Sequence, residues 1–321
     1  MSAGDLITDK DLPTRLKLVN VLPVTIVLAT TTLLLLSGAP RQSPSLEVVA
    51  TNIRSLGWPT LVIGTAVSLI AGLALQPLEL ASIRLLEGYW RPQGLLGPAG
   101  RLGCWVHERR RSRLQWLVSY EGRGVEGPLA SDAVTELQSY PDSMAVLPTA
   151  LGNRLRAMEE RAGAPYHLDA IHAWPRLYFV LPQDALDKVN AHRNELDVTV
   201  RLSIAGAITG LISASLLIRF GWWLVLPAAF LLAAAFAYRS SLAAATNYRV
   251  AVCAAFDVHR LRLHQTMRLQ MPVDSDHEQA INAVLNGYWR RNGAYGVLRY
   301  ATTDQDVGIT VQRRRGSPPP A

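Results

Sequence analysis

Cysteine is almost missing from this chain: Cys104 and Cys253 are the only two in 321 residues. Two thiols exclude a disulfide-stapled scaffold, and no second pair exists to build a structural zinc site. Both read as reduced, half-buried thiols. Lysine is scarce too, at Lys10, Lys17 and Lys188 only, so the net charge of +7 rests almost wholly on arginine. With abundant Ala, Leu, Gly and Pro, that bias points to a high-GC bacterial genome. No Gly-x-Ser-x-Gly elbow, phosphate loop or dinucleotide fingerprint occurs. The sequence therefore assigns no catalytic residue, no cofactor and no metal ligand. No aromatic platform or recognition helix accompanies the arginines, so nucleic acid is not an expected partner.

Charge is scarce in four blocks. Val198 to Ile218 carries only Arg201, and Trp222 to Tyr238 carries none, with Arg219-Phe220-Gly221 as a tight break between them. A helix rising 1.5 Å per residue needs about 20 such residues to cross roughly 30 Å of hydrocarbon. Leu18 to Ser37 and Trp58 to Gln76 make an earlier pair. Asn20 and Pro23 sit near the entry of the first span, and Pro59 suits a first helical position. A cleaved signal peptide is the other reading of the first block. Asp5, Asp9 and Asp11 weigh against it, as does the length of the apolar run. Trp58, Trp222 and Trp223 fall at one interface of these spans and Tyr238 at the other.

Arginine sets the orientation. The 38–57 loop has Arg41 and Arg54, and the second link has Arg219. The stretch after the second span has Arg84, Arg91, Arg101, Arg109, Arg110, Arg111 and Arg113, and the one after the fourth has Arg239, Arg249, Arg260, Arg262 and Arg268. The positive-inside rule then places both termini and the central region in the cytoplasm, beneath the plasma (inner) membrane.

The predicted fold is all-α: an integral membrane protein of two transmembrane helical hairpins and a helical cytoplasmic region. Residues 1–77 hold a tail and the first hairpin, 78–197 the cytoplasmic region, and 198–238 the second hairpin. A cytoplasmic stalk follows over 239–311, and a Pro-rich tail over 312–321 reads as disordered. Two strings align without a gap: LEGYWRPQGLLG at 86–97 and LNGYWRRNGAYG at 285–296. They read either as two copies of one unit, a hairpin followed by a helix ending in Gly-Tyr-Trp, or as chance. Trp90 and Trp289, with Tyr89 and Tyr288, are then interfacial anchors or packing residues.

Within the central region an amphipathic helix to Trp90 presents Leu78, Ser82, Leu85 and Leu86. A second helix, 100–120, has Leu102, Trp105, Val106, Leu114, Leu117 and Val118 on one apolar side. Its basic turn, HERRRSR with Arg109, Arg110, Arg111 and Arg113, reads as a site for anionic lipid heads or as a solvated face. After a 122–130 loop comes a short helix, 131–139, capped by Ser131 or Asp132. Another, 149–162, is capped by Thr149 and stopped by Gly163. A turn or short helix, 166–174, ends at Pro175. From Asp184 a helix runs unbroken into the third span, and the fourth continues to about Met271.

The segment 151–177 gathers Asn153, Glu159, Glu160, Tyr166, His167, Asp169, His172, Trp174 and Arg176. It reads as a polar junction between helices, with Arg176 pairing to Asp169 or a helix end. The alternative is an acid-base pair of His167 or His172 with Asp169 or Glu159. In the third span Gly206 and Gly210 form a small-xxx-small contact, within the chain or between copies, matched by Ala229, Ala233 and Ala237 in the fourth.

The strings LLEGYW (85–90), LGNRLR (151–156) and WPRL (174–177) resemble those of uncharacterised actinobacterial four-span membrane proteins, over about residues 75–200. The resemblance implies a membrane location and nothing catalytic. The expected partners are the lipid bilayer and a cytoplasmic protein or a second copy. The expected role is a non-enzymatic interaction or assembly component. A small transporter or channel subunit is the alternative, and a lipid-modifying surface enzyme the third.

Overall fold

The structure is a computed structural model, and it describes residues 11–74, 78–91, 93–121, 128–142, 145–291 and 296–301. The 312–321 tail and most of the 122–130 loop lie outside the described residues. So do Gln76 and the side chains of Trp58, Leu78 and Ser82. The fold is all-α. In chain order the helices are α1 (Asp11–Leu36), α2 (Leu46–Ala74), α3 (Leu78–Glu87), α4 (Gly97–Glu121), α5 (Pro128–Leu137), α6 (Ala150–Arg161), α7 (Ala170–Val180), α8 (Gln183–Leu217), α9 (Val225–Thr266) and α10 (Ser275–Arg290). Short 3₁₀ turns cover Ala164–Tyr166 and Gly221–Leu224. One isolated antiparallel bridge joins Leu269 to Tyr300.

The chain forms two compact units. The first comprises Met1–Val106, Leu147–Gly152 and Arg193–Ala245. Here α1 packs along α2, and Asn52 Nδ2 donates to the carbonyl of Leu36 at 2.8 Å, tying the turn between them. Gly57, at φ 69°, breaks α2 just before Trp58-Pro59, so the helix proper starts where the span was expected. The preceding residues from Leu46 are helical and not loop. Because α1 begins at Asp11, Pro23 lies inside it and not near its entry. At one end of this unit Leu34 and Ala39 pack with Leu217, flanked by Phe220, Trp223 and Leu226. The turns that follow α1 and α8 therefore meet.

The α8–α9 contact is built on the two glycines. A Cβ on Gly206 would lie 3.1 Å from Ala234 Cβ, and one on Gly210 would lie 2.8 Å from the Leu231 side chain. Ser203 Oγ donates to the Ala234 carbonyl at 3.1 Å. The small-residue contact is thus made within the chain. The face it meets is Phe230, Leu231 and Ala234; Ala229 and Ala233 are exposed. Gly210→Ile should destabilise the α8–α9 pair by about 1–3 kcal/mol, read as a lower unfolding midpoint in detergent.

The second unit comprises His107–Val146, Asn153–His192 and Thr246–Ala321. Several of its helix boundaries depart from those expected. Helix α6 starts in the first unit, where Thr149 Oγ1 accepts from Gly152 N at 3.1 Å, the expected cap, and it gives way in the second to Gly163 at φ 80°. Helix α5, however, opens at Pro128 and not at Ser131, since proline lacks the donor that a first turn leaves unpaired anyway. Helix α7 runs through Pro175 to Val180 and does not end there. Helix α9 stops at Thr266, short of Met271. Arg268 takes φ 55°, Leu269 N donates to His264 O and Arg268 N to Gln265 O, both at 3.0 Å. Those two bonds close a Schellman motif, with Leu269 buried beneath it.

Candidate functional site

The carbonyls of Pro165, Tyr166 and His167 lie in and just after a single 3₁₀ turn, which no regular helical ladder continues. Helix α10 supplies their donors. Gln279 Nε2 donates to Pro165 O at 3.1 Å, Asn282 Nδ2 to Tyr166 O at 2.8 Å, and Asn286 Nδ2 to His167 O at 2.7 Å. Asn286 Oδ1 accepts from the Asp169 backbone N at 3.0 Å. Positions 279, 282, 286 and 290 fall on one stripe of a 3.6-residue helix. The last of them, Arg290, reaches Asp169 Oδ2 through Nε and Nη2, at 2.9 and 2.5 Å.

Asp169 is the hub. It caps α7 by accepting from Ile171 N at 3.1 Å, and its Oδ2 lies 3.0 Å from His172 Nδ1. Burial works to raise its carboxyl pKa, but hydrogen bonds from Arg290 and His172 outweigh it and hold the group below the ordinary range. Of the residues gathered at 151–177, the structure joins His172 and Asp169. His167 contributes its backbone, and burial pushes the half-buried Glu159 carboxyl up. Arg176 does not pair with Asp169. It donates to the His172 carbonyl and lies 4.9 Å from the centre of the Trp289 ring, a cation–π contact.

Deeper in this junction Arg260 bonds Glu278 Oε1 at 2.7 Å and stacks 3.7 Å over the Tyr166 ring. Tyr166 OH donates to Asp257 Oδ1 at 2.9 Å. His264 is fully buried, with Nε2 2.7 Å from Asn282 Oδ1. Since Asn282 Nδ2 is committed to Tyr166, its oxygen faces His264, so Nε2 carries the imidazole proton. His264 Nδ1 has no hydrogen-bond partner among the described residues.

The basic turn of α4 divides in two. Arg110 pairs with Glu136 at 2.5 Å, and Arg111 donates to the Asp142 carbonyl at 2.6 Å. His107 Nδ1 lies 3.0 Å from Tyr140 OH. These contacts hold the chain after α5, together with Arg161, which binds Asp142 Oδ1 at 2.7 Å and the carbonyl of Tyr140 at 3.0 Å. Arg109 and Arg113 are exposed.

Trp90 folds back on its own helix, donating to Leu85 O at 2.7 Å. The two aligned strings differ in conformation. Gly88, at φ 85°, ends α3 before Tyr89 and Trp90, whereas Gly287 lies inside α10 and the chain turns at Arg291, φ 52°. Neither cysteine is in a disulfide, burial pushes the Cys253 thiol up, and no group of three metal-ligating side chains occurs among the described residues. Compared with protein-family models, curated proteins and solved structures, the chain matches none.

The cluster holds α10 on α7 and α9. Among the described residues no hydroxyl or thiol nucleophile is hydrogen-bonded to His172 or Asp169. Sequence reading missed Gln279, Asn282, Asn286 and Arg260, although an amide every third or fourth residue on one helical stripe was a legible signal. Asp169→Ala, which removes both cap and ion pair, should lower stability by about 2 kcal/mol, seen as a reduced unfolding midpoint. Asp169→Asn, which keeps a capping oxygen, should lose about half of that.

Proposed function

We propose that this chain is a four-span inner-membrane protein of bacteria, with both termini cytoplasmic, that presents its helical second unit to a cytoplasmic protein partner without catalysing a reaction. The observation that carries the reading is the exposure of α9. Helices α8 and α9 are long and apolar enough to cross a membrane, each with a mean hydropathy of 1.7 over its best window. Only 11% of that window in α9 is buried within the chain. Val225, Leu232 and Phe236 stand exposed. A core helix of a water-soluble fold would be covered, and a continuous apolar surface of this kind calls for lipid.

The meeting of the turns after α1 and α8 supports hairpins that reverse on one side, and the arginine distribution supports the opposite side as cytoplasmic. The committed junction around Asp169 supports a scaffold in place of a catalyst. An alkaline wash should leave the protein in the membrane fraction. With Cys104 and Cys253 changed to serine, an impermeant maleimide should label Gln42→Cys in whole cells and spare Glu136→Cys until the cells are opened. Recovery of the untagged chain in the aqueous fraction would sink the reading, as would labelling of residue 136 in intact cells. A stoichiometric partner recovered in mild detergent supports the interaction role, and its repeated absence counts against it.

A transport route is the second reading. In its favour, the hydroxyls of Thr209 and Ser213, one turn apart on α8, are buried with no hydrogen-bond partner among the described residues. Solute flux in proteoliposomes that Thr209→Val and Ser213→Ala suppress would support it.

A further inference from the structure

Beyond its apolar half, α9 carries a second pattern. Asn247, Ala251, Ala254, Val258, Leu261 and Gln265 recur at alternating intervals of four and three residues, the heptad spacing of a coiled-coil seam. The seam is about 27 Å long at 1.5 Å per residue, and none of its six positions is charged. It lies wholly within the second unit. None of the six is buried: Asn247, Ala254 and Val258 stand exposed, Val258 at 70%, and the other three are half-covered. The inward side of the same stretch is a different set, with Val252, Phe256 and Leu263 buried. Beside the seam, between α9 and the start of α8, runs a groove of about 580 Å³ with Ala185, Lys188 and Val250 on its walls.

Two charges flank the seam. Asp257 falls on one edge of it and Arg262 on the other, and both are exposed. Asp257 Oδ1 accepts from Tyr166 OH, which holds the carboxylate at that edge. In heptad terms Asp257 is a g position and Arg262 the e position of the next heptad. Those are the two that meet across a parallel, in-register pair of identical helices.

We propose that this seam joins two copies of the chain, side by side in one bilayer, as a parallel coiled coil. A two-fold axis along the membrane normal sets equivalent residues at equal depth. Val258 then meets the partner's Val258, and Asp257 pairs with the partner's Arg262, twice by symmetry. Each copy's Asp257 edge turns toward the other's groove, where Lys188 adds a second cation. Asn247 and Gln265, polar at the two ends, favour this one register. A foreign helix could cover the apolar positions, but it would give Asp257 and Arg262 no reason to stand in matched places. The inference rests on the membrane reading above, which holds both copies parallel, and it names one partner of the second unit.

The test uses the full chain, with Cys104 and Cys253 changed to serine, in phospholipid vesicles at a low protein-to-lipid ratio. Single cysteines are placed in the seam by Ala254→Cys and Val258→Cys, and on an exposed site away from it by Asp276→Cys. Mild oxidation should link like residues at 254 and at 258 into covalent dimers and leave 276 monomeric. Val258→Glu, harmless to a lone chain because the site is exposed, should abolish linking at 254. Asp257→Arg should weaken the dimer roughly tenfold, read by energy transfer between labelled copies, and adding Arg262→Asp should restore it. Loss of the Tyr166 bond alone would not be repaired by that second change. Chains that stay monomeric at 254 and 258, or link no better there than at 276, overturn the inference if the protein withstands an alkaline wash. Monomers whose seam cysteines resist a soluble maleimide overturn it too, since another segment or protein then covers the seam. Protein stripped from the vesicles by the wash overturns the membrane reading itself.

Discussion

Gly152→Ala should lower the stability of the protein by about 3 kcal/mol, although alanine is the better helix former. Gly152 lies in the first turn of α6, and a Cβ there would come within 1.9 Å of the Glu87 carbonyl oxygen. In an open helix the substitution would gain as much as about 1 kcal/mol. Here the obstacle is backbone, held by the end of α3, and cannot rotate aside as a side chain would. Gly88 ends α3 at φ 85°, with Tyr89 N donating to Arg84 O at 3.3 Å and Gly88 N to Leu85 O at 3.3 Å, so the carbonyl of Glu87 is fixed by a closed motif. Thermal unfolding in detergent gives the measurement. Gly64→Ala is the control, since among the described residues nothing lies within 4 Å of an added Cβ there, and it should leave stability unchanged or raise it by up to about 1 kcal/mol. Equal behaviour of the two variants would mean that α3 and α6 are not this close.

The second large effect lies at Asn282. Asn282→Leu keeps the branching of the side chain but crowds a fully buried position, and it strands the half-buried Tyr166 carbonyl and the buried His264 Nε2 proton. Each stranded group costs about 1–3 kcal/mol, so a loss of about 3 kcal/mol is expected. The same pair creates a pH dependence. Burial, the largest influence, and the neighbouring Arg260 lower the His264 pKa from its ordinary 6.5, against the opposing pull of Asn282 and Glu278. The unfolded chain therefore takes up a proton near pH 6.5 that the folded chain refuses. Stability is complete above that pH and is lost as pH falls through it toward the folded value.

A charged His264 would also point Nδ1–H at no acceptor among the described residues. His107 shifts the same way, by burial first and then Arg110 and Arg154, so it contributes to the same window. His264→Gln should flatten the acid slope without abolishing it. An unchanged slope would remove His264 from the account. Asp169, whose carboxyl is also held low, adds its loss further down, below its ordinary 3.8.

How much of this was legible beforehand depends on the range of the forces involved. Long unbroken helices were, because α8 needs only the lack of Gly and Pro between Gln183 and Ala205, a local property. The Thr149 cap, the stop at Gly163 and the small-residue contact of α8 with α9 were legible for the same reason. Boundaries set by proline were read too strictly. Pro175 was expected to end a helix that continues to Val180, because a favourable cap at Asp169 and a buried Leu177 outweigh one missing donor.

Composition and hydropathy alone determined that these helices are apolar over spanning length and that the arginines gather on the segments between them. Both are sums over neighbouring residues and need no fold. Only the tertiary structure decided that Leu114 of α4 is buried while Leu102, Trp105 and Val106, expected on that same side, are exposed. Only it showed that Asp169 answers to Arg290, 121 positions away, and that Gly152 is glycine because of a distant carbonyl. Those outcomes depend on which helix lies against which, and pairing at such separation leaves no local trace in the chain.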